Sequence, residues 1–171
     1  MKKAIYTALL LSAVVLGCSK SDTELNNTDQ TFALQASISN SAEVDAGTLA
    51  STKATNAEVK KFAQHMVSSH TLAQTDLKNL GTSVGIAVKD TIDPPHVALK
   101  GLLMSTPAGR AFDSIYIHSQ VADHDMTIAN FQTEQNNGSH RDVQDYANRY
   151  LPHIQMHRQS ADSISRAFFR R

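Results

Sequence analysis

Apolar residues recur along most of this chain at alternating steps of four and three. That spacing keeps one side of an α-helix apolar and commits each such stretch to packing against another. A first series runs Phe32, Ala36, Ser39, Glu43, Ala46, Ala50 and predicts a helix over 29–54. A second runs Val59, Ala63, Met66, His70, Ala73, Leu77, Leu80, Val84. A third runs Ile117, Val121, His124, Ile128, Phe131, with Phe112 and Ile115 ahead of it. A fourth runs Val143, Ala147, Tyr150, Ile154, His157, Ala161, Ile164, Phe168.

Punctuation residues fall between these series. Thr55-Asn56-Ala57-Glu58 reads as a capping box opening the second helix. Gly81 and Gly85 mark its end. Thr106-Pro107 is expected to start the third helix, with Pro at the first helical position. Asn136-Asn137-Gly138 closes that helix, and Ser139-His140-Arg141-Asp142 opens the fourth, where Pro152 is expected to introduce a kink. Four such helices predict an all-α fold, a four-helix up-down bundle. The first and last pairs have tight connections and read as antiparallel hairpins. The middle connection, 86–106, contains Asp93-Pro94-Pro95 and room for a short helical turn around Val97–Met104. About twenty extended residues reach ~66 Å, and a helix of about 28 residues is ~42 Å long. The connection can therefore cross the bundle end to end, giving a ferritin-like arrangement with one long crossover. A loop folded at one end is the alternative.

Each series carries one residue foreign to an apolar core: Glu43, His70, His124 and His157. Each lies within about two residues of its helix midpoint, a height difference of only ~3 Å. The four side chains are expected to meet in one layer. Three imidazoles and a carboxylate suit one transition metal: a complete tetrahedral site for Zn, or part of a site for Cu, Mn or Fe. His153, one turn before His157, is a candidate edge ligand. The same residues can instead form a buried hydrogen-bonded network that fixes register, with Glu43 paired to one His and the other two bonded to each other. Both readings stay open at this point. A ferritin-like di-metal centre lacks its carboxylates, because Val67, Val121 and Ile154 stand three residues before the histidines. His65 is five residues before His70, so the two rings diverge by about 140° and His65 is expected in solvent.

The N-terminus differs from the rest. Lys2 and Lys3 precede an apolar run, Ala4 to Leu16, too short to span a bilayer, which needs ~20 residues. Charge, length and position fit a signal peptide over 1–17. The run ends in Val15-Leu16-Gly17-Cys18, which resembles the lipobox of bacterial lipoproteins, and Cys18 is the single cysteine. That resemblance implies a lipid on Cys18, a polar tether over 18–28 and a folded domain over 29–171. It implies a membrane-anchored protein of the cell envelope, with Ser19 favouring the outer membrane, facing either periplasm or cell surface. Formal net charge is zero over the 171 residues and no basic stripe exists, so nucleic acid is not an expected partner. No His-Glu-x-x-His, Gly-rich phosphate loop or nucleophile elbow is present, so no catalytic residue is assigned.

Several segments together resemble a known family. They are GTLASTKATNAEVKKFAQHMVSSH from Gly47 to His70, the stretch Phe112 to Tyr116 with His124, and Tyr146-Ala147 with Leu151-Pro152 and His157. These are similar to the bacterial family of domain of unknown function 4142, over about Thr31 to Ile164. The resemblance implies a secreted, often lipid-anchored, ferritin-like helical domain and supplies no activity. The family pattern often places Asp before the second-helix histidine, where this chain has Ser69. That removes one carboxylate able to steady a metal-bound ring. Two functional readings follow: a metal-binding envelope protein, or a non-enzymatic envelope, stress-response or interaction module whose inner layer is architectural.

Overall fold

A computed structural model describes residues 23–169. They form five α-helices: α1 (Asn27–Lys53), α2 (Ala57–Val84), α3 (Pro94–Ser105), α4 (Arg110–Asn137) and α5 (Arg141–Phe168). Among the described residues there is no strand. The long helices α1, α2, α4 and α5 correspond to the four apolar series. The fifth, α3, lies in the middle connection and is a full helix of 12 residues rather than a turn. The expectation of four helices is corrected to five. Asp93 caps α3 by accepting from the His96 amide, and Pro94 and Pro95 occupy its first positions, where missing amides cost nothing.

Contacts at the helix ends fix the directions. Asn26, before α1, donates to the carbonyl of Asn137 at the end of α4, 2.8 Å away. At the opposite end Asp113, early in α4, accepts from the amides of Thr55 and Asn56 between α1 and α2. α1 and α5 therefore run one way, and α2 and α4 the other. The connection from α2 to α4 must travel the length of the molecule, and it does so along α1. The Ser37 hydroxyl donates to the Lys89 carbonyl, Lys100 pairs with Asp45 at 2.7 Å, and Lys53 donates to the carbonyls of Leu103 and Met104. The crossover is present and the folded-loop alternative is not.

Two local expectations are corrected. The second helix is capped by Asn56, whose side chain accepts from the amides of Glu58 and Val59. Thr55 bonds Asp113 instead, so no Thr55–Glu58 box forms. Pro107 lies outside α4, which starts after Gly109 at φ 141°, a conformation open only to glycine. α5 continues as one helix from Arg141 to Phe168 with Pro152 inside it.

The core has two apolar halves. One gathers Ala50, Val59, Ala63, Met66, Phe112, Ile117 and Ala161. The other gathers Phe32, Ala36, Leu77, Phe131, Ala147 and Ile154. Between them lies a polar belt. No helix among the described residues is long and apolar enough to cross a membrane.

Candidate metal centre

The belt is built from the midpoints of four helices. α2 supplies His70, α4 supplies His124 and α5 supplies His157, each at most 4 % exposed. Their ring centroids stand 5.3, 5.6 and 5.7 Å apart, close to an equilateral triangle. One ligating atom from each residue lies within 4.8 Å of the others.

Each ring has one nitrogen engaged on its outer side. His70 Nδ1 donates to Asn40 Oδ1 at 2.9 Å; the Asn40 amide nitrogen faces the acceptors Gln74 Oε1 and Tyr146 Oη, which fixes its oxygen toward His70. His124 Nδ1 donates to the backbone carbonyl of Gln120 at 2.9 Å. His157 Nε2 meets the Ser69 hydroxyl at 3.3 Å. With Nδ1 protonated, His70 and His124 each leave a lone pair on Nε2. His70 Nε2, His124 Nε2 and His157 Nδ1 are all buried and none has a hydrogen-bond partner. The mutual histidine bonds expected of a closed network are absent at these atoms.

Burial also holds the rings neutral. It pushes His124 down to about 4 and His157 down to about 3, in the latter aided by the neighbouring histidines. His70 is held well below the ordinary imidazole range by burial and then by His124 and His157. Neutral imidazole is the form that binds a metal. A buried acceptor left without a partner costs ~1–3 kcal/mol. His70 and His124 each hold such an acceptor, and one cation shared by the three rings would satisfy both. A zinc ion ~2.0 Å from each nitrogen sets the nitrogens ~3.3 Å apart, so atoms that stand up to 4.8 Å apart close by up to about 1.5 Å on binding.

Glu43 from α1 reaches the belt but not the convergence. Its Oε1 lies 3.5 Å from His124 Nδ1, the nitrogen committed to Gln120. Burial, then the charge of Asp123, pushes its carboxyl up to about 8 against a hydrogen bond from the Gln120 side chain. Glu43 therefore sits behind the His124 ring. His153 is exposed, one turn before His157 on α5. Cys18 and the predicted signal segment lie outside the described residues. Sequence reasoning missed Asn40 and Gln120 and read Ser69 only as a lost carboxylate, whereas all three steady the rings from outside. Their signal was present but weak: Ser69 adjoins His70, and Gln120 precedes His124 by one turn. Tyr116, fully buried with an unpartnered hydroxyl, also borders Glu43 closely enough to feel its charge.

The sequence profile described as domain of unknown function DUF4142 matches residues 17–164. No curated protein matches. Among solved structures, the crystal structure of a DUF305 fragment from Deinococcus radiodurans is similar, with a TM-score of 0.71 at 11% identity. The alignment covers 82% of this chain and 96% of that one. At that identity the likeness establishes an all-α fold of the DUF305 type and nothing more.

Proposed function

This chain belongs to the family of domain of unknown function DUF4142, and from that premise we propose that it binds one transition cation on His70, His124 and His157. The observation that carries the reading is three buried histidines that each bring a ligating atom within 4.8 Å of the others, each ring also having one buried nitrogen without a hydrogen-bond partner. Three neutral imidazoles without thiolate exclude a preference for Ca²⁺ or Mg²⁺ and favour Zn²⁺ or Cu, ahead of Mn or Fe. Glu43 serves as a fourth ligand only after swinging around the His124 ring; in its present position it lies 3.5 Å from the nitrogen that Gln120 already engages. The four long helices act as a ferritin-like four-helix bundle around the ion, a reading supported by their antiparallel directions and the single crossover. Metal analysis of purified protein incubated with Zn²⁺, Cu²⁺, Mn²⁺ or Fe²⁺ tests the proposal. Close to one equivalent of one metal is expected, lost in His70→Ala. Less than a tenth of an equivalent of every metal defeats it.

A second reading rests on the outward bonds of the same rings. Asn40, Gln120 and Ser69 already steady the layer, so it can serve as architecture alone in a non-enzymatic envelope module. His124→Leu then preserves or raises the thermal midpoint in metal-free buffer and leaves any cellular phenotype intact. Under the metal reading it abolishes binding.

The envelope location is part of the proposal. Its support is Lys2-Lys3, the apolar run and Val15-Leu16-Gly17-Cys18. Mass spectrometry of the N-terminal peptide from the membrane fraction should find a lipid-modified Cys18, and Cys18→Ser should release the protein from that fraction.

A further inference from the structure

Two histidines outside the triangle stand beside one of its corners. His65 on α2 and His153 on α5 are both exposed. The His65 ring centroid is 5.1 Å from that of His157, with the planes perpendicular. His153 lies one turn from His157 on the same helix. His157 is in turn 5.3 Å from His70 and 5.6 Å from His124. Imidazoles thus descend in steps from solvent, through His157, to the buried nitrogens. A cleft of about 10 Å³ runs beneath His153, lined by Ser69, His70, Tyr150 and His157. That is room for about one water or one ion.

The opposite side of the belt is built differently. A larger cavity, about 150 Å³, is lined by Glu43, Asp93, His96 and Asp123. None of His70, His124 and His157 lines it; Glu43, which does, faces the His124 nitrogen already bound to Gln120. An ion arriving there meets none of the three unpartnered nitrogens.

A cation cannot cross a dry interior bare, because shedding its hydration without replacement costs tens of kcal/mol. It can cross by ligand exchange, one imidazole replacing each departing water. We propose that His65 and His153 form the entry station for the centre: they capture a transition cation from solvent and pass it, by way of His157, to His70 and His124. The proposal rests on the metal reading above. The ion keeps its charge throughout, and only nitrogen lone pairs and water ligands are exchanged.

The test is the time course of Co²⁺ uptake by the purified chain, followed by visible absorption of the tetrahedral ion. His65→Ala/His153→Ala removes two exposed side chains, and circular dichroism checks that the fold is kept. The double variant should load about tenfold more slowly and reach the same end-point absorbance as the parent. An unchanged rate overturns the proposal. So does slowing by His96→Ala alone, which would place entry in the opposite cavity. A lost end-point in the double variant also overturns it, because the two residues would then be ligands. If the parent itself develops no cobalt band, the metal reading has failed and the entry station falls with it.

Discussion

Glu134 and Gly138 show how one buried side chain sets what its neighbours can be. Glu134 is fully buried near the end of α4, beside Asp29 of α1. Burial, then the hydrogen bond and charge of Asp29, pushes its carboxyl up to about 8 from an ordinary 4.5. The neutral acid faces Asp29, which accepts from the amides of Asn26, Ser139 and His140. In the unfolded chain Glu134 ionises from 4.5, while in the fold it keeps its proton to about 8. Across that window the folded state carries the extra proton, so the contribution is full below 4.5 and is lost as pH rises toward 8. Above pH 6.5, where the three histidines are neutral whether folded or unfolded, the thermal midpoint of the metal-free protein should fall as pH rises toward 8, and Glu134→Gln, which keeps a donor, should flatten the fall by roughly 5 °C. Gly138 is required by the same carboxyl. A Cβ there would lie 2.1 Å from Glu134 Oε1 and 2.7 Å from its carbonyl oxygen. Gly138→Ala should cost about 1–3 kcal/mol in urea unfolding.

At the scale of the element, helix ends are held by side chains from other helices. Asp113 is 1 % exposed and receives the amides of Thr55 and Asn56 and the Thr55 hydroxyl. Asp113→Ala strands these donors at the α1–α2 turn and should destabilise the fold by about 2–3 kcal/mol, measured by chemical denaturation. This long-range role explains what the sequence could and could not disclose. α1, α2 and α5 were legible because their buried faces are mostly apolar and their series hold the step of four and three. In α5 the series slips only at its end, where Phe169 is buried and Phe168 exposed. α4 was less legible. Its buried face includes Asp113, Gln120, Thr127 and Glu134, while Val121 and Ile128 are only half-buried. Polar residues read as solvent-facing until their partners on other helices are known. The three histidines were legible as interruptions of apolar series at helix midpoints. The placement of Glu43 behind His124 was not, since spacing fixes height along an axis but not the reach of a side chain.

For the molecule as a whole, the polar belt separates two apolar half-cores, and three of the four long helices meet at its centre. A cation bound there links α2, α4 and α5 at mid-height. At a free Zn²⁺ concentration a hundredfold above Kd, binding should add ~2.7 kcal/mol, raising the thermal midpoint by about 5–10 °C. Scanning calorimetry with and without the ion checks this, and His157→Ala should erase the gain. The all-α class and the end-to-end crossover both follow from chain length and helix directions. The fifth helix followed from neither, because its twelve residues bury only Leu103 completely and so leave almost no periodic trace.

The start of α1 lies against the α4–α5 turn, tied there by Asn26 to Asn137, by Ser139 to the Glu24 carbonyl and by Asp29 to Ser139 and His140. Tension applied at residue 23 therefore pulls along the axis of α1. It loads that whole helix in shear against its neighbours instead of peeling it residue by residue. The polar staple at Asp29 bears the strain first, and the histidine layer, roughly 20 Å further along the axis, is shielded until the staple yields.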